Sequence, residues 1–361
     1  MQRTSPLVDV TVPVHSASRP IARAVASVVD HTRAAVRVTV VAHNIDPQVI
    51  RGNLGAYADH PRVRVRELRD GIPSPAGPMN LGFGLADARF VSVMGSDDEL
   101  APGAVDSWLA LQKRTSAAVV LARIQLGGGG CDPYPPVRNG RRTTGLDPRK
   151  DRLAYRSAPV GLIDRRRFEG LRFTEGLASG EDLAYSTALW FSGAEIAYDL
   201  HGPAYTINDD AADRVTSAPR PVAEDFSFLV AIEALDGFGG WSRRDREALV
   251  VKLIRLHFVD VLRAHLSRGN GVREQASEFI RVLDRLEDIA PGALRLLSVA
   301  DRRLLDAVRS PLVDDRRLSA LVEARGEYRR LAAIVTRDPL RLLHRQAPLR
   351  TLGAGLRAST A

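Results

Sequence analysis

The sequence has 361 residues, of which 45% are hydrophobic and 26% are charged. This length allows two domains, and the composition excludes a wholly disordered, collagen-like or transmembrane chain. The formal net charge is +8, and all but three of the cationic side chains are arginines. Cys131 is the single cysteine, which excludes an internal disulfide and a zinc site built from a cysteine cluster.

The start of the chain shows no charged-then-apolar signal pattern. No uncharged apolar run reaches the length of about 18 residues that a membrane span needs. We therefore expect a cytoplasmic protein, with any membrane contact peripheral and on the inner face.

The first 125 residues alternate short β-branched runs with segments of helical length. The runs predict five strands, over Val8–Val14, Arg37–Ala42, Val63–Glu67, Phe90–Met94 and Ala118–Ala122. Helices that each open with a proline are predicted between them, over Pro20–His31, Pro47–His60, Pro78–Ala88 and Pro102–Arg114. This order is typical of an α/β fold, a mostly parallel sheet with helices on both faces, which binds ligands outside the carboxyl ends of its strands.

The pattern changes further along the chain. The segment from Gly127 to Asp151 is rich in Gly, Pro and Arg, and a loop of this length predicts a mobile segment close to the ligand. A helix over Ala178–Phe191 and a strand over Glu195–Tyr198 follow, and the remainder is almost purely helical. We predict an α/β domain over residues 1–218 and a helical C-terminal domain over residues 219–361.

The last part of the chain is basic. Residues 301–361 carry an excess of six positive charges, with leucines at helical spacing. Such helices pack within a domain, form a homo-oligomer or dock on an anionic membrane or polymer, and these roles, like acceptor binding, stay open for the C-terminal domain. We expect no nucleic-acid partner, because helix-turn-helix, zinc and RNP-type signatures are absent.

Two acidic clusters stand out. Gly95-Ser96-Asp97-Asp98-Glu99 follows an apolar strand, so its carboxylates either hold a divalent cation with a diphosphate or belong to a capping box formed by Ser96 and Glu99. Ser179-Gly180-Glu181-Asp182 opens a predicted helix. Its acids either favour the helix N-terminus or include a general base.

Four short motifs occur in series: Pro13-Val14-His15, Asn80-Leu81-Gly82, Asp97-Asp98 followed by Leu100 and Pro102, and Gly180-Glu181-Asp182. With this order and setting, residues 7–210 resemble the family 2 glycosyltransferases of the GT-A fold. The resemblance implies a Rossmann-like sheet flanked by helices and an inverting transferase that depends on a nucleotide sugar.

The resemblance also implies the catalytic roles. A divalent metal, Mn²⁺ or Mg²⁺, held at Asp97 and Asp98 is implied to bridge the diphosphate and stabilise it as leaving group. Asp182 is implied to be the base that deprotonates an acceptor hydroxyl, and Glu181 to orient the acceptor or the base.

The nucleotide sugar is implied to lie against residues at the carboxyl edge of the sheet, namely Pro13, Val14, His15, His43, Asn44, Asn80, Ser96 and Asp97. Pro13 and Val14 would line the nucleotide pocket, and Asn80 would hold its segment over the ribose and diphosphate. His15 and His43 either contact the base or are structural histidines at the ends of the first two strands.

Two positions depart from the family pattern. The second strand is followed by His43-Asn44-Ile45-Asp46 rather than by an acidic pair, which leaves the identity of the base open. Gly95 or Ser96 replaces the first acid of the metal motif. This change predicts a weaker metal site, or one that takes most of its ligands from the nucleotide phosphates.

The resemblance implies a metal-dependent glycosyltransferase of the hexosyltransferase type. Its donor, by family frequency, is a UDP-sugar, and its acceptor is a hydroxyl of a cell-surface glycan, a teichoic-acid-like polymer or a lipid-linked intermediate in cell wall polysaccharide biosynthesis. The alternative is a catalytically silent GT-A module that binds nucleotides or scaffolds a polysaccharide assembly system.

Overall fold

The computed structural model describes residues 5–210, 220–267, 272–310 and 314–359. The predicted boundary between residues 218 and 219 lies outside these ranges and stays a prediction. The described strands all precede residue 208, and the described residues from 220 onward form helices with one isolated β-bridge, between Ser298 and Thr336.

The strands form two sheets. In chain order they are β1 Val8–Val14, β2 Val36–His43, β3 Val63–Leu68, β4 Phe90–Val93, β5 Glu99–Leu100, β6 Val119–Ala122, β7 Ile124–Leu126, β8 Gly161–Asp164, β9 Ile196–Asp199 and β10 Tyr205–Ile207. The large sheet has the order β3-β2-β1-β4-β8-β6-β9, and only β8 runs antiparallel to its neighbours. The small sheet has the order β5-β10-β7.

The helices fall into two groups. Within the α/β part lie α1 Ile21–Val29, α2 Pro47–Leu54, α3 Ala76–Gly84, α4 Ala104–Thr115 and α5 Glu181–Trp190. After residue 220 follow α6 Val222–Asp225, α7 Phe228–Glu233, α8 Arg243–Leu253, α9 Val259–Ser267, α10 Ala276–Ile289, α11 Val299–Val308, α12 Asp315–Gly326, α13 Leu331–Ile334 and α14 Pro348–Ser359.

The predicted α/β architecture is confirmed, and the observed strands overlap all six predicted ones. Strand β8 was missed, because its four residues show no alternation that separates a strand from a loop. The strands of the small sheet were also missed, because runs of two or three residues are too short for a periodic signal.

Alternating side chains of the large sheet enter separate cores. Val120 and Ala122 of β6 join one core with α1 and α4, whereas Val119 and Leu121 join the other with α5. A third core holds the helical part and includes Leu183 and Ala184 of α5. Helix α5 therefore packs against both the sheet and the helical part.

The segment from 127 to 151 does not lie where the sequence analysis expected. None of its residues lines the cleft at the carboxyl ends of β1, β2 and β4, which is described below. Its buried Asp151 accepts hydrogen bonds from the backbone and guanidinium of Arg138 at 2.7 to 2.8 Å. Gly140, with φ of +66°, leaves no room for a Cβ against the backbone of Arg357 in α14. The segment is thus a packed support for the C-terminal helix.

Several large leucines near the C-terminus are exposed. The exposed fraction is 91% for Leu340 and 67% for Leu343, and Leu331 and Leu356 are similarly open. Within the described ranges, none of the helices has the length and apolarity that a membrane crossing requires.

Helix α3 lies unusually close to the central strand. A Cβ on Gly82 would lie 2.2 Å from Cγ2 of Thr11 in β1, so Gly82→Ala forces the helix away from the sheet. We expect this variant to lower the free energy of unfolding by about 1–3 kcal/mol, the range for overpacking. Urea unfolding followed by circular dichroism measures the change.

Gly84→Ala is the matched control, because Gly84 lies in the same helix and no atom stands within 4 Å of its Cβ position. We expect its free energy of unfolding to stay constant or to rise by up to about 1 kcal/mol. Equal effects of both substitutions would contradict the close packing of α3 on β1.

Candidate active site

A cleft of about 490 Å³ opens at the carboxyl ends of β1, β2 and β4. Its walls come from six parts of the chain: Pro13, Val14, His15, Arg19, His43, Asn44, Pro73, Ser74, Pro75, Pro78, Met79, Gly95, Ser96, Asp97, Asp98, Ala178, Glu181, Ile207 and Asn208. Parallel strands bind ligands at this edge. All the site residues predicted from the sequence except Asn80 and Asp182 therefore line this one cavity.

The acidic pair after β4 is nearly buried, with Asp97 8% and Asp98 9% exposed. The hydroxyl of Tyr205 in β10 donates to Oδ2 of Asp98 at 2.6 Å, and the Asn208 N–H donates to Oδ1 at 3.2 Å. Burial and the charge of Asp98 raise the pKa of Tyr205 well above its ordinary value, so Tyr205 stays a donor. The small sheet thus fixes Asp98.

Gly95 makes this arrangement possible. A Cβ at this position would lie 2.4 Å from Oδ2 of Asp98. The glycine at this position therefore leaves the room that the Asp98 carboxylate occupies.

Asp97 is paired with a cation that the sequence analysis missed. Nη1 of Arg19, in the loop after β1, lies 2.5 Å from Oδ2 of Asp97, and Arg19 is itself 8% exposed. Arg23 donates to the main-chain oxygen of Asp97 at 2.5 Å and forms an ion pair with Asp210 at 2.7 Å. Arg19 lines the cleft, where a guanidinium is suited to bind a phosphate.

The capping interpretation of the first cluster is wrong. Helix α4 has Gly103 as its N-cap, with no side-chain cap, and Glu99 belongs to β5. Ser96 is 4% exposed and lines the cleft. The cluster therefore faces a ligand cavity rather than a helix end.

The pair also suits a hard divalent ion, although the described residues contain no group of three or more His, Cys, Asp and Glu side chains placed to hold a metal. Magnesium is usually bound through one or two carboxylates, with substrate phosphates and water as the other ligands. Asp97 and Asp98 on the wall of one cleft fit this pattern, which depends on a bound diphosphate.

The end of β2 forms a polar cluster with the segment after β3. Nε2 of His43 lies 2.8 Å from Oδ1 of Asp70, and Nδ2 of Asn44 lies 3.2 Å from the same oxygen. Burial raises the pKa of Asp70, but hydrogen bonds from the Ile72 N–H and from His43 outweigh it and hold this pKa below its usual value. Asp70 therefore holds the side chains of His43 and Asn44 at the end of β2.

Asn80, which was expected among the residues that contact the nucleotide sugar, does not line the cleft, although Pro78 and Met79 do. Its Nδ2 donates to the Phe173 oxygen at 3.0 Å and to Glu175 at 2.8 Å, and its Oδ1 accepts from the Phe173 N–H at 2.9 Å. Both ends of the amide are used within the protein. Asn80 thus fastens the segment that leads to α5.

Glu181 and Asp182 begin α5. Gly180 is the N-cap with φ of +75°, no side chain caps the helix, and both acids lie in its first turn. Glu181 lines the cleft. Burial and the neighbouring charge of Asp182 raise the pKa of Glu181 to about 7.

Asp182 is half-buried. Burial raises its pKa, and the positive charge of Lys252 in α8 opposes that rise. Because the raised pKa keeps Glu181 protonated to a higher pH than an ordinary glutamate, this pair can present one neutral acid and one ionised carboxylate. Such a pair suits proton transfer.

The residues that sequence reasoning missed come from segments distant in the chain. Arg19 follows the first motif in the sequence, so its position offered a signal. Tyr205, Asn208 and Lys252 offered none, because only the folded chain brings Tyr205 and Asn208 to Asp98 and lets the charge of Lys252 act on Asp182. Asp70 offered none either, because it meets His43 and Asn44 only in the fold.

Asn80→Ala tests its structural role. Three hydrogen bonds to the segment 173–175 are lost, so we expect the free energy of unfolding to fall by about 1–3 kcal/mol. The dissociation constant for a nucleotide should stay within twofold of the wild type, because Asn80 does not line the cleft. Calorimetric titration and urea unfolding measure both quantities, and a large loss of nucleotide affinity in a fully stable variant would contradict this assignment.

Residues 9–170 match the family described as glycosyl transferase family 2. No curated protein matches the sequence.

The chain superposes on crystal structures of S. aureus TarS. The complex of TarS residues 1–349 with UDP-GlcNAc gives a TM-score of 0.67 at 19% identity, over 89% of this chain and 91% of that chain. The complex with UDP gives 0.60 at 19% identity, over 90% and 93%. At this level of identity the superposition shows a shared fold.

Proposed function

Because residues 9–170 belong to glycosyl transferase family 2, we propose that this protein is an inverting glycosyltransferase that uses a UDP-sugar as donor. The observation that carries the proposal is the cleft at the carboxyl edge of the sheet, which joins Arg19, the Asp97–Asp98 pair and Glu181. The UDP-GlcNAc and UDP bound in the similar S. aureus structures support the choice of donor.

The donor diphosphate would lie at the end of β4. Arg19 is a cation on this wall, and its pairing with Asp97 fixes the guanidinium before the donor arrives. A bound divalent ion, held by Asp97 and Asp98, would supply positive charge that stabilises the diphosphate as leaving group. Metal dependence, with Mn²⁺ or Mg²⁺, is part of the proposal.

The nucleotide base would lie beside β1 and β2. Pro13, Val14 and His15 form the floor at this end, and His43 and Asn44 form the wall. Asp70 fixes the orientation of His43 and Asn44 through its Oδ1.

Asp182 would act as the base. The acceptor hydroxyl gives its proton to the Asp182 carboxylate as its oxygen attacks the anomeric carbon from the face opposite the diphosphate, so the configuration inverts. Glu181, the neighbour with the raised pKa, would orient the acceptor through a hydrogen bond.

The acceptor is proposed to be a cell-surface glycan, a teichoic-acid-like polymer or a lipid-linked intermediate. The exposed leucines of the C-terminal segment, interspersed with arginines such as Arg341 and Arg345, support a contact of this region with a membrane surface or a second copy of the chain. Cytoplasmic location remains an expectation from the sequence.

Asp182→Asn tests the assignment of the base. We expect the variant to bind UDP-GlcNAc as well as the wild type does, while turnover falls by about 10²- to 10⁴-fold, the usual contribution of a general base. Calorimetric titration measures binding. Release of UDP in the presence of a cell-wall polymer preparation measures turnover.

The matched control is Asp59→Asn, because the side chain of Asp59 is 97% exposed and lies on the same domain. This variant should keep wild-type turnover. Unchanged turnover in Asp182→Asn would remove the base from this position, and a wild-type protein that binds UDP-GlcNAc without any turnover would favour the silent scaffold.

A further inference from the structure

A π-helical turn in the helical part brings the ammonium group of Lys252 within hydrogen-bond distance of the imidazole of His257. Helix α8 continues through the π-helical residues Ile254–Phe258 into α9. In an α-helix of about 3.6 residues per turn, side chains five positions apart point in different directions, and the wider π-turn brings them together. Nζ of Lys252 accordingly lies 2.7 Å from Nε2 of His257.

Lys252 is held firmly and out of solvent. It is 1% exposed, and its Nζ also donates to Oγ of Ser157 at 3.0 Å. The ring of His257 packs on Phe228 with centroids 5.7 Å apart. Burial, and then the charge of Lys252, lower the pKa of His257 well below its ordinary value, so His257 is neutral and accepts the hydrogen bond.

This cluster supports the start of α5. A Cβ on Gly180, directly before Glu181, would lie 2.7 Å from Cδ1 of Phe228, so the helix start rests on that ring. At the other end of α5, Nε1 of Trp190 donates to the carbonyl oxygen of Arg156, the residue before Ser157, at 2.9 Å. The segment that holds Lys252 therefore also holds α5.

We propose that Lys252 is a positioning residue for Asp182: its ammonium group, fixed by Ser157 and His257, compensates the Asp182 carboxylate and keeps that group ionised and able to act as base. This inference rests on the proposed glycosyltransferase function. It makes the helical part a component of the active site and not only an attachment to it.

The charged groups around Asp182 agree with this role. Lys252 is the cation whose charge opposes the effect of burial on the pKa of Asp182, and Asp182 in turn opposes the burial that lowers the pKa of Lys252. Glu181 is the neighbouring acid, and the charge of Arg220 acts on Glu181. His257 is neutral, so it adds no charge.

The test compares Lys252→Met with Lys252→Arg in pH profiles of kcat and KM. Without the cation, the pKa of Asp182 rises, so the base is protonated to a higher pH and the acid limb of the kcat profile moves upward. We expect a move of about 1–3 pH units in Lys252→Met, the effect of one nearby charge. The KM for the donor should stay within twofold, and Lys252→Arg should keep the acid limb of the wild type.

The matched control is Lys113→Met, because Lys113 is exposed on α4 and its loss should leave the whole profile unchanged. Equal acid limbs in wild type and Lys252→Met would overturn the inference, as would the same upward shift in Lys252→Arg. A wild type without turnover would instead overturn the proposed function.

Ser157→Ala gives a second test if Lys252→Met does not fold. This variant removes one of the two groups that fix the ammonium and keeps the charge. We expect an acid limb that moves in the same direction by a smaller amount. An acid limb at the wild-type position would overturn the inference.

Discussion

The structure depends on cations and hydrogen-bond donors that stabilise carboxylates held largely out of water. A pair of adjacent acids lies in such surroundings at two places, after β4 and at the start of α5. Removing a carboxylate from water costs free energy unless a cation or a set of hydrogen-bond donors stabilises it. Arg19 pairs with Asp97, and Tyr205 with Asn208 donates to Asp98. The charge that acts on Asp182 against the effect of burial on its pKa is that of Lys252, in α8.

The connections that fix these groups also join distant parts of the chain. Gly82 lets α3 lie directly on β1, and Asn80 in the same helix fastens the segment before α5. One short motif thus contacts both the central strand and the segment that leads to α5. The third core, shared by α5 and the helical part, continues this framework beyond the sheet.

The sequence predicted the parts of this site that are local. Periodicity located the parallel strands, and the acids at Asp97, Asp98 and Glu181 line the cleft as a site at the strand ends requires. The resemblance to the family was less informative for Asn80, because an asparagine at a helix start suits a ligand and a structural contact equally well. Only the geometry shows that both ends of its amide are used within the protein.

The partners of the acids could not be predicted, since each is far away in the chain. Nothing in the run around Lys252 marks it as a neighbour of Asp182, and its alignment with His257 needs a π-turn that helical periodicity does not indicate. Likewise, Asp70 follows β3 in the chain but contacts His43 and Asn44 at the end of β2. Contacts of this kind are determined by tertiary packing, which local propensity and residue spacing do not predict.

The most direct measurement is calorimetric titration of the wild-type protein with UDP, GDP, CDP and dTDP, each with and without Mn²⁺. We expect UDP to bind most tightly and the metal to strengthen its binding, because the diphosphate would complete the ligands offered by Asp97 and Asp98. Absence of binding by every nucleotide, with and without metal, would contradict the assignment of this cleft as a nucleotide-sugar site.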